Sequence, residues 1–417
     1  MNPRDPDRRR IAELLPFDPF SQDFLADPAP HYRRMHARGP VGRTASGTVY
    51  VNGHPECSAV LRDPNFRVGG LREFTTDRKR MAERAQAASI LYMNAPRHTR
   101  IRRQIAGAFT PRAIGRLRER VHHHVDRLLT PLSGTVDLME AFAFPLPLAL
   151  VSELLGVPAS DAPAFRAWTA PLARGLDPDA LLDASEIAAY DAARHEAAAY
   201  FADLAGHRRR HPVDDLVSAL ARSPDLSERE LASLCTLVLA AGYETVANLI
   251  GHGLVALLRA PAQLDELRND PSLAASATDE LLRRDGTVQA TVRVARTPTE
   301  IGGVPLVRGE PVILLFAAAG HDPRVFPEPD RLDLRRPPGR HLAFGLGPHF
   351  CVGASLARLE AETAFPALVR RRPELAGPVH YREGFVLRGL TRLPVHFPAP
   401  LHVPAPRRMA SAAPSTL

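Results

Sequence analysis

The stretch HLAFGLGPHFCVG, residues 341–353, sets three glycines around one cysteine. Gly345, Gly347 and Gly353 permit tight backbone turns on both sides of Cys351. The residues that follow, GASLARLEAETAFPALVRR (353–371), carry a helical pattern, so a helix begins just after the cysteine. Its first amides then point at the sulfur, which stabilises a thiolate. A lone buried cysteine is commonly an inert small hydrophobe. A thiolate with this glycine spacing and no neighbouring metal ligands suits another use, a single axial bond to haem iron.

Outward from this loop, the strongest helix covers 227–259. Ser227 and Glu230 form a capping box. Leu231, Leu234, Cys235, Val238, Thr245, Leu249 and Leu254 recur at three- and four-residue steps. At 1.5 Å per residue such a helix runs roughly 50 Å and crosses the middle of the protein. Its centre, Ala240-Ala241-Gly242-Tyr243-Glu244-Thr245, contradicts its surroundings. Glycine there costs about 1 kcal/mol relative to alanine, and an unpaired buried carboxylate costs far more. Two readings stand. Gly242 allows close helix packing while Glu244 faces solvent, or the missing side chain makes room for a ligand and the acid and hydroxyl relay protons.

Helical patterns also cover 97–129, broken at Thr110-Pro111, and the Ala/Leu-rich stretches 137–156 and 161–206. Residues 47–60 read as a short hairpin entering a helix. Residues 63–93 read as a long irregular connection, of the kind that is usually functional. Residues 299–316 read as short strands. The sum is mainly α with small β-sheets. Residues 1–15 are read as a flexible segment, 16–399 as one domain, and 400–417 as a flexible tail.

The 417 residues are 45% hydrophobic and 24% charged, a globular balance that excludes wholesale disorder. Three cysteines, far apart and odd in number, form no complete disulfide framework and show no CxxC metal spacing. A reducing cytoplasm is the expectation. The start, MNPRDPDRRRIAELL, lacks a signal-peptide h-region, and no stretch reaches the ~18 uninterrupted apolar residues of a span. The net charge of +7 is almost wholly arginine, with Lys79 the only lysine. That pattern fits GC-rich coding, names no partner, and offers no nucleic-acid motif beyond charge.

Four segments, in order, together resemble one family. Phe344, Gly345, Gly347, His349, Cys351 and Gly353 resemble the haem-binding loop of the cytochrome P450 superfamily. Ala241-Gly242-Tyr243-Glu244-Thr245 resembles the oxygen-activation stretch of its central helix. Glu280-Leu281-Leu282-Arg283 resembles its E-x-x-R pair, and Phe326-Pro327-Glu328-Pro329-Asp330-Arg331 the segment whose arginine completes that ion network. E-x-x-R alone carries almost no information, whereas the cysteine loop is highly specific. The resemblance runs from about Asp18 to Phe397 and points to the soluble bacterial branch.

The resemblance implies a cytochrome P450 fold, with haem b between the long central helix and the cysteine loop. Cys351 would be the iron ligand. His98 and Arg102, four apart on one helix face, match the family's propionate clamp. Arg293 and His349 match two further propionate contacts, and Phe344 belongs to the loop. Glu280, Arg283 and Arg331 would form a buried structural network. Glu244 and Thr245 would manage protons for dioxygen activation. Two departures remove no catalytic group: Ala319-Gly320-His321-Asp322-Pro323 where A-N-R-D-P is usual, and Val246 where a second hydroxyl is frequent.

For the substrate pocket the resemblance implies regions: 63–93, 161–206, the central helix and Val288–Thr291. Phe74, Met81, Leu91, Met93, Leu237, Ala241, Val288 and Leu390 are the candidate lining residues. No flavin or iron–sulfur sequence is present, so electrons come from outside. Arg102, Arg103, Arg112 and Arg116 would form part of a basic face for an acidic ferredoxin, itself served by a ferredoxin reductase. The expected activity is monooxygenation (hydroxylation or epoxidation) of a small specialised metabolite: polyketide, macrolide, terpenoid or peptide. The alternatives are oxidative coupling or desaturation by the same haem, and a non-catalytic recruitment protein.

Overall fold

The helices that position the site are α1 (Arg97–Ala106), α2 (Pro145–Leu155), α3 (Ala162–Arg174), α4 (Ala184–Arg210), α5 (Glu228–Arg259), α6 (Ala274–Asp285) and α7 (Ala354–Arg370). A computed structural model describes residues 13–69, 89–177, 182–337 and 339–398. Helix α5 starts where the capping box places it. Ser227 Oγ accepts from the Glu230 amide at 3.2 Å, and a Glu230 carboxylate oxygen accepts from the Ser227 amide at 3.2 Å. The two bonds satisfy two of the free amides of the first turn.

The apolar stripe of α5 is buried against α2, α3, α4 and α7. Phe142, Phe165 and Phe201 are fully enclosed in that cluster, each burial worth roughly 1.5–3 kcal/mol. Among the described residues α5 alone is long and apolar enough to cross a membrane, and most of its apolar stretch is buried inside the protein. The apolarity of α5 thus serves the core.

The main sheet has five strands: β1 (Val41–Arg43), β2 (Val49–Val51), β3 (Phe66–Gly69), β4 (Ala290–Ala295) and β5 (Pro311–Leu315). Their order is β1-β2-β5-β4-β3, with β2 and β5 parallel and the other neighbours antiparallel. Two expectations need correction. The hairpin comprises residues 41–51, earlier than read, and a helix follows from His54 to Arg62. Residues 63–93 were read as irregular, yet Phe66–Gly69 is a strand. It pairs with β4, Val68 opposite Arg293. That partner lies more than two hundred residues away, beyond the reach of local pattern.

At the start of the described chain Leu14 and Leu15 are buried beside Phe24 and Tyr32, so packing begins before residue 16. Residues 1–12 and 399–417 lie outside the described residues, as do Phe74 and Met81.

Candidate active site

The cysteine loop closes onto a cavity of about 660 Å³ lined by Cys351, Phe344, Gly345, His349, Thr245 and Ala241 among others. Cys351 enters the loop by donating its amide to the Phe344 carbonyl at 2.8 Å. Gly345 and Gly347 take φ of +66° and +73°, which L side chains rarely adopt. A Cβ on Gly347 would also sit 2.5 Å from the Leu61 carbonyl oxygen. Helix α7 begins at Ala354, and the amides of Gly353 and Ala354 donate to the Cys351 sulfur. Burial raises the thiol pKa, while these amides and the cations Arg102 and Arg358 pull it down. Arg358 also lies 4.6 Å over the Phe344 ring, pinning that side chain.

Basic groups gather along the same cavity. The His98 and His349 rings meet at a tilt of 31°, with centroids 3.9 Å apart. Burial, then the neighbouring His98, Arg293 and Arg102, pushes His349 down to about 3, and a ring nitrogen bonds the Met93 carbonyl. Arg102 donates to the Phe350 carbonyl. Arg293 is buried, and burial lowers its pKa to about 10. Its guanidinium donates to the Val292 carbonyl and the Thr291 hydroxyl, with no carboxylate partner among the described residues. A buried guanidinium without an anion is costly. An anionic group in the cavity, beside Arg293, Arg102 and the two histidines, removes that cost. Haem fits: Cys351 would bind the iron, and these four residues the two propionates. Among the described residues no cluster of three or more His, Cys, Asp or Glu could hold a metal ion, so Cys351 would be a single protein donor.

Across the cavity, α5 turns its odd segment inward. Ala241 is exposed in mid-helix and Gly242 and Thr245 partly so, because they line the opening. Gly242 also serves packing, since a Cβ there would sit 3.2 Å from Val151 of α2. Thr245 donates its hydroxyl to the Ala241 carbonyl at 2.7 Å. Glu244 does not reach solvent, contrary to the simpler of the two sequence readings. Its carboxylate is buried, 2.7 Å from Arg382 Nη1 and 3.0 Å from Asn248 Nδ2. It is absent from the cavity wall. Arg382 was missed because it belongs to a short strand, His380–Arg382, with no motif of its own.

Leu91, Leu237, Ala241 and Val288 line the cavity. Met93 and Leu390 do not. Met93 is buried in the core and meets His349 through its carbonyl. Leu390 packs on Gly251 and donates its amide to Asn248. The lining that sequence missed includes Leu387, held opposite Val288 by an isolated bridge. Glu360 of α7 was also missed. It lines the cavity, is fully buried with one oxygen unpartnered, and burial holds its pKa well above the usual carboxylate range.

The ion network needs a correction. Glu280 and Arg283 pair twice, at 2.7 and 2.8 Å, inside the protein. The third member is Arg336, whose Nε lies 3.1 Å from both Glu280 oxygens. Arg331 is 59% exposed and pairs with Glu328 and Asp333. The segment turns between residues 331 and 336, so the expected arginine points outward and a later one points in. Arg103, Arg112 and Arg116 are exposed.

Residues 271–371 match the family described as Cytochrome P450. The chain is 40% identical over 403 residues to the cytochrome P450 monooxygenase PikC of Streptomyces venezuelae, covering 92% of this chain and 94% of that one. It is similar to the crystal structure of P450BioI in complex with an acyl carrier protein bearing hexadec-9Z-enoic acid (TM-score 0.84, 36% identity, 90% of this chain, 100% of that one). It is also similar to CxnD, a cytochrome P450 for C–S bond formation in chuangxinmycin biosynthesis (TM-score 0.81, 35% identity, 91% and 98%).

Proposed function

The chain belongs to the cytochrome P450 family, and on that premise we propose that it hydroxylates or epoxidises a small specialised metabolite (polyketide, macrolide, terpenoid or peptide). Electrons would arrive from a ferredoxin and its reductase. One observation carries the reading: the Cys351 sulfur, held by two backbone amides, shares a cavity with Thr245 on the opposite helix. The family's haem b, when bound there, supplies dioxygen activation.

The chain's own residues do the rest. Arg102 and Arg293 would neutralise the propionates, and His98 and His349 would orient them by hydrogen bonds. Leu237, Ala241, Val288 and Leu387 exclude bulk water around the substrate. Thr245 spends its proton on the Ala241 carbonyl, which leaves its oxygen lone pairs as acceptors for a water in the cavity. Rotation about χ1 turns the same hydroxyl into a donor. Glu244, one residue earlier, holds a carboxylate behind the helix, where the partly exposed Arg382 connects it to the surface. Release of Arg382 frees Glu244 to pass protons towards Thr245. The exposed Arg103, Arg112 and Arg116, with Arg102 at the loop, favour an acidic electron donor.

A second reading, oxidative coupling, draws on the similarity to CxnD; retention of Glu244 and Thr245 favours monooxygenation. The test is the spectrum of the reduced protein under carbon monoxide. A strongly red-shifted Soret band supports Cys351 ligation. A histidine-type band, or no haem, overturns the reading and leaves recruitment as the function to examine. Product formation with ferredoxin and reductase, against none without them, tests the electron route.

A further inference from the structure

We propose that the substrate carries a carboxylate on an otherwise apolar body, and that Arg194 receives it. The inference rests on the haem-thiolate reading above and names the substrate class for that site. Helix α4 presents Tyr190, Arg194, Ala198 and Ala202 to the cavity at four-residue spacing, one face of the helix. Two alanines leave room along that face, and Arg194 is its only charge. Arg194 Nε is sealed from solvent and has no hydrogen-bond partner. Its Nη2 meets His195 Nε2 at 3.1 Å and lies 3.9 Å from Asp191, at the limit of an ion pair.

The other charges of the cavity wall are accounted for. Glu230 is held by Arg97 and Arg100, and Glu228 by Arg209. Arg229, also on the cavity wall, is exposed to solvent. Arg102 and Arg293 would serve the propionates, and burial raises the pKa of Glu360 well above the usual carboxylate range. Arg194 remains as a cation without a full partner. A wholly apolar ligand would seal it further with nothing in return, so the cavity discriminates against such ligands. A carboxylate matches the planar guanidinium fork and accepts the free Nε–H. The apolar remainder, including Leu91, Leu237 and Val288, takes the body of the molecule.

The test uses haem-loaded protein and ω-imidazolyl alkanoic acids of graded chain length, their methyl esters, and plain N-alkylimidazoles. The imidazole anchors each probe at the iron, and the spectral shift gives Kd. At the length that spans the cavity the acid should bind about tenfold more tightly than its ester. Arg194→Gln should erase that difference, Arg194→Lys should restore part of it, and N-alkylimidazole affinity should not fall in either. Equal affinity of acid and ester at every length overturns the proposal, as does a preference that survives in Arg194→Gln. Absence of any shift with N-alkylimidazole in the wild-type protein is a different failure. It removes the haem-thiolate reading itself, and this proposal with it.

Discussion

Arg336 and Arg283 grip the same carboxylate: Glu280 accepts from Arg336 Nε at 3.1 Å on both oxygens and from Arg283 at 2.7 and 2.8 Å. Arg336 also donates to the carbonyls of Pro327, Glu328 and Arg331. It therefore ties the segment before the cysteine loop to α6. Arg336→Ala leaves Glu280 with one cation fewer and removes the guanidinium bonds to three carbonyls. The expected loss is about 3–5 kcal/mol in denaturant unfolding, with poor cofactor retention. Arg331→Ala should leave the transition unchanged. Equal loss in the two variants would return Arg331 to the network.

Arg382 and Glu244 form the second buried pair. Arg382→Ala strands the carboxylate with Asn248 as its remaining partner, a cost of about 3 kcal/mol. The double variant Arg382→Ala/Glu244→Gln should recover most of that loss. Chemical unfolding of the four proteins of this cycle measures the coupling, and additive losses would mean the pair contributes no coupling.

Arg293 is a buried cation awaiting an anion. Arg293→Met should raise the unfolding midpoint of the cofactor-free protein, because an uncompensated charge is removed. The same variant should release haem about tenfold faster to an apomyoglobin trap. Slower unfolding without faster haem release would show that Arg293 answers to something other than a propionate.

Thr245→Ala removes the cavity hydroxyl and its bond to Ala241. Haem content and ligand-induced spin shifts should persist, while NADPH consumption is diverted to hydrogen peroxide and product per NADPH falls several-fold. Peroxide and product assays on the two proteins decide it, and equal coupling would sink the proton role.

Glu360 supplies a pH dependence. Its pKa in the folded protein is raised by burial, so the folded state keeps a proton that the unfolded chain releases near the ordinary glutamate value. Stability from this group is present below that value and is lost as pH rises towards the folded pKa. Wild-type melting temperature should therefore fall between pH 5 and pH 8 more steeply than that of Glu360→Gln, which stays neutral. Parallel slopes would indicate that Glu360 is solvated or paired when haem is bound.

Some of this was written in the sequence because its causes are local. The capping box, the three- and four-residue apolar steps of α5, and the glycines around Cys351 act on their own neighbours in the chain. They announced the central helix, the helix after the cysteine and the tight loop that carries Cys351. His98 and Arg102 share a face for the same reason. Other features depend on partners far along the chain. Strand Phe66–Gly69 exists because β4 pairs with it. Met93 and Leu390 are as apolar as Leu237, yet packing turns them into the core while Leu237 faces the cavity. Arg336 displaced Arg331 because a turn of backbone decided which guanidinium pointed inward. Arg382 and Arg194 carry no motif; only the folded chain places one behind Glu244 and leaves the other on the cavity wall without a full partner. Sequence spacing specifies which residue types recur on one element, whereas burial and pairing between elements decide which of them meet.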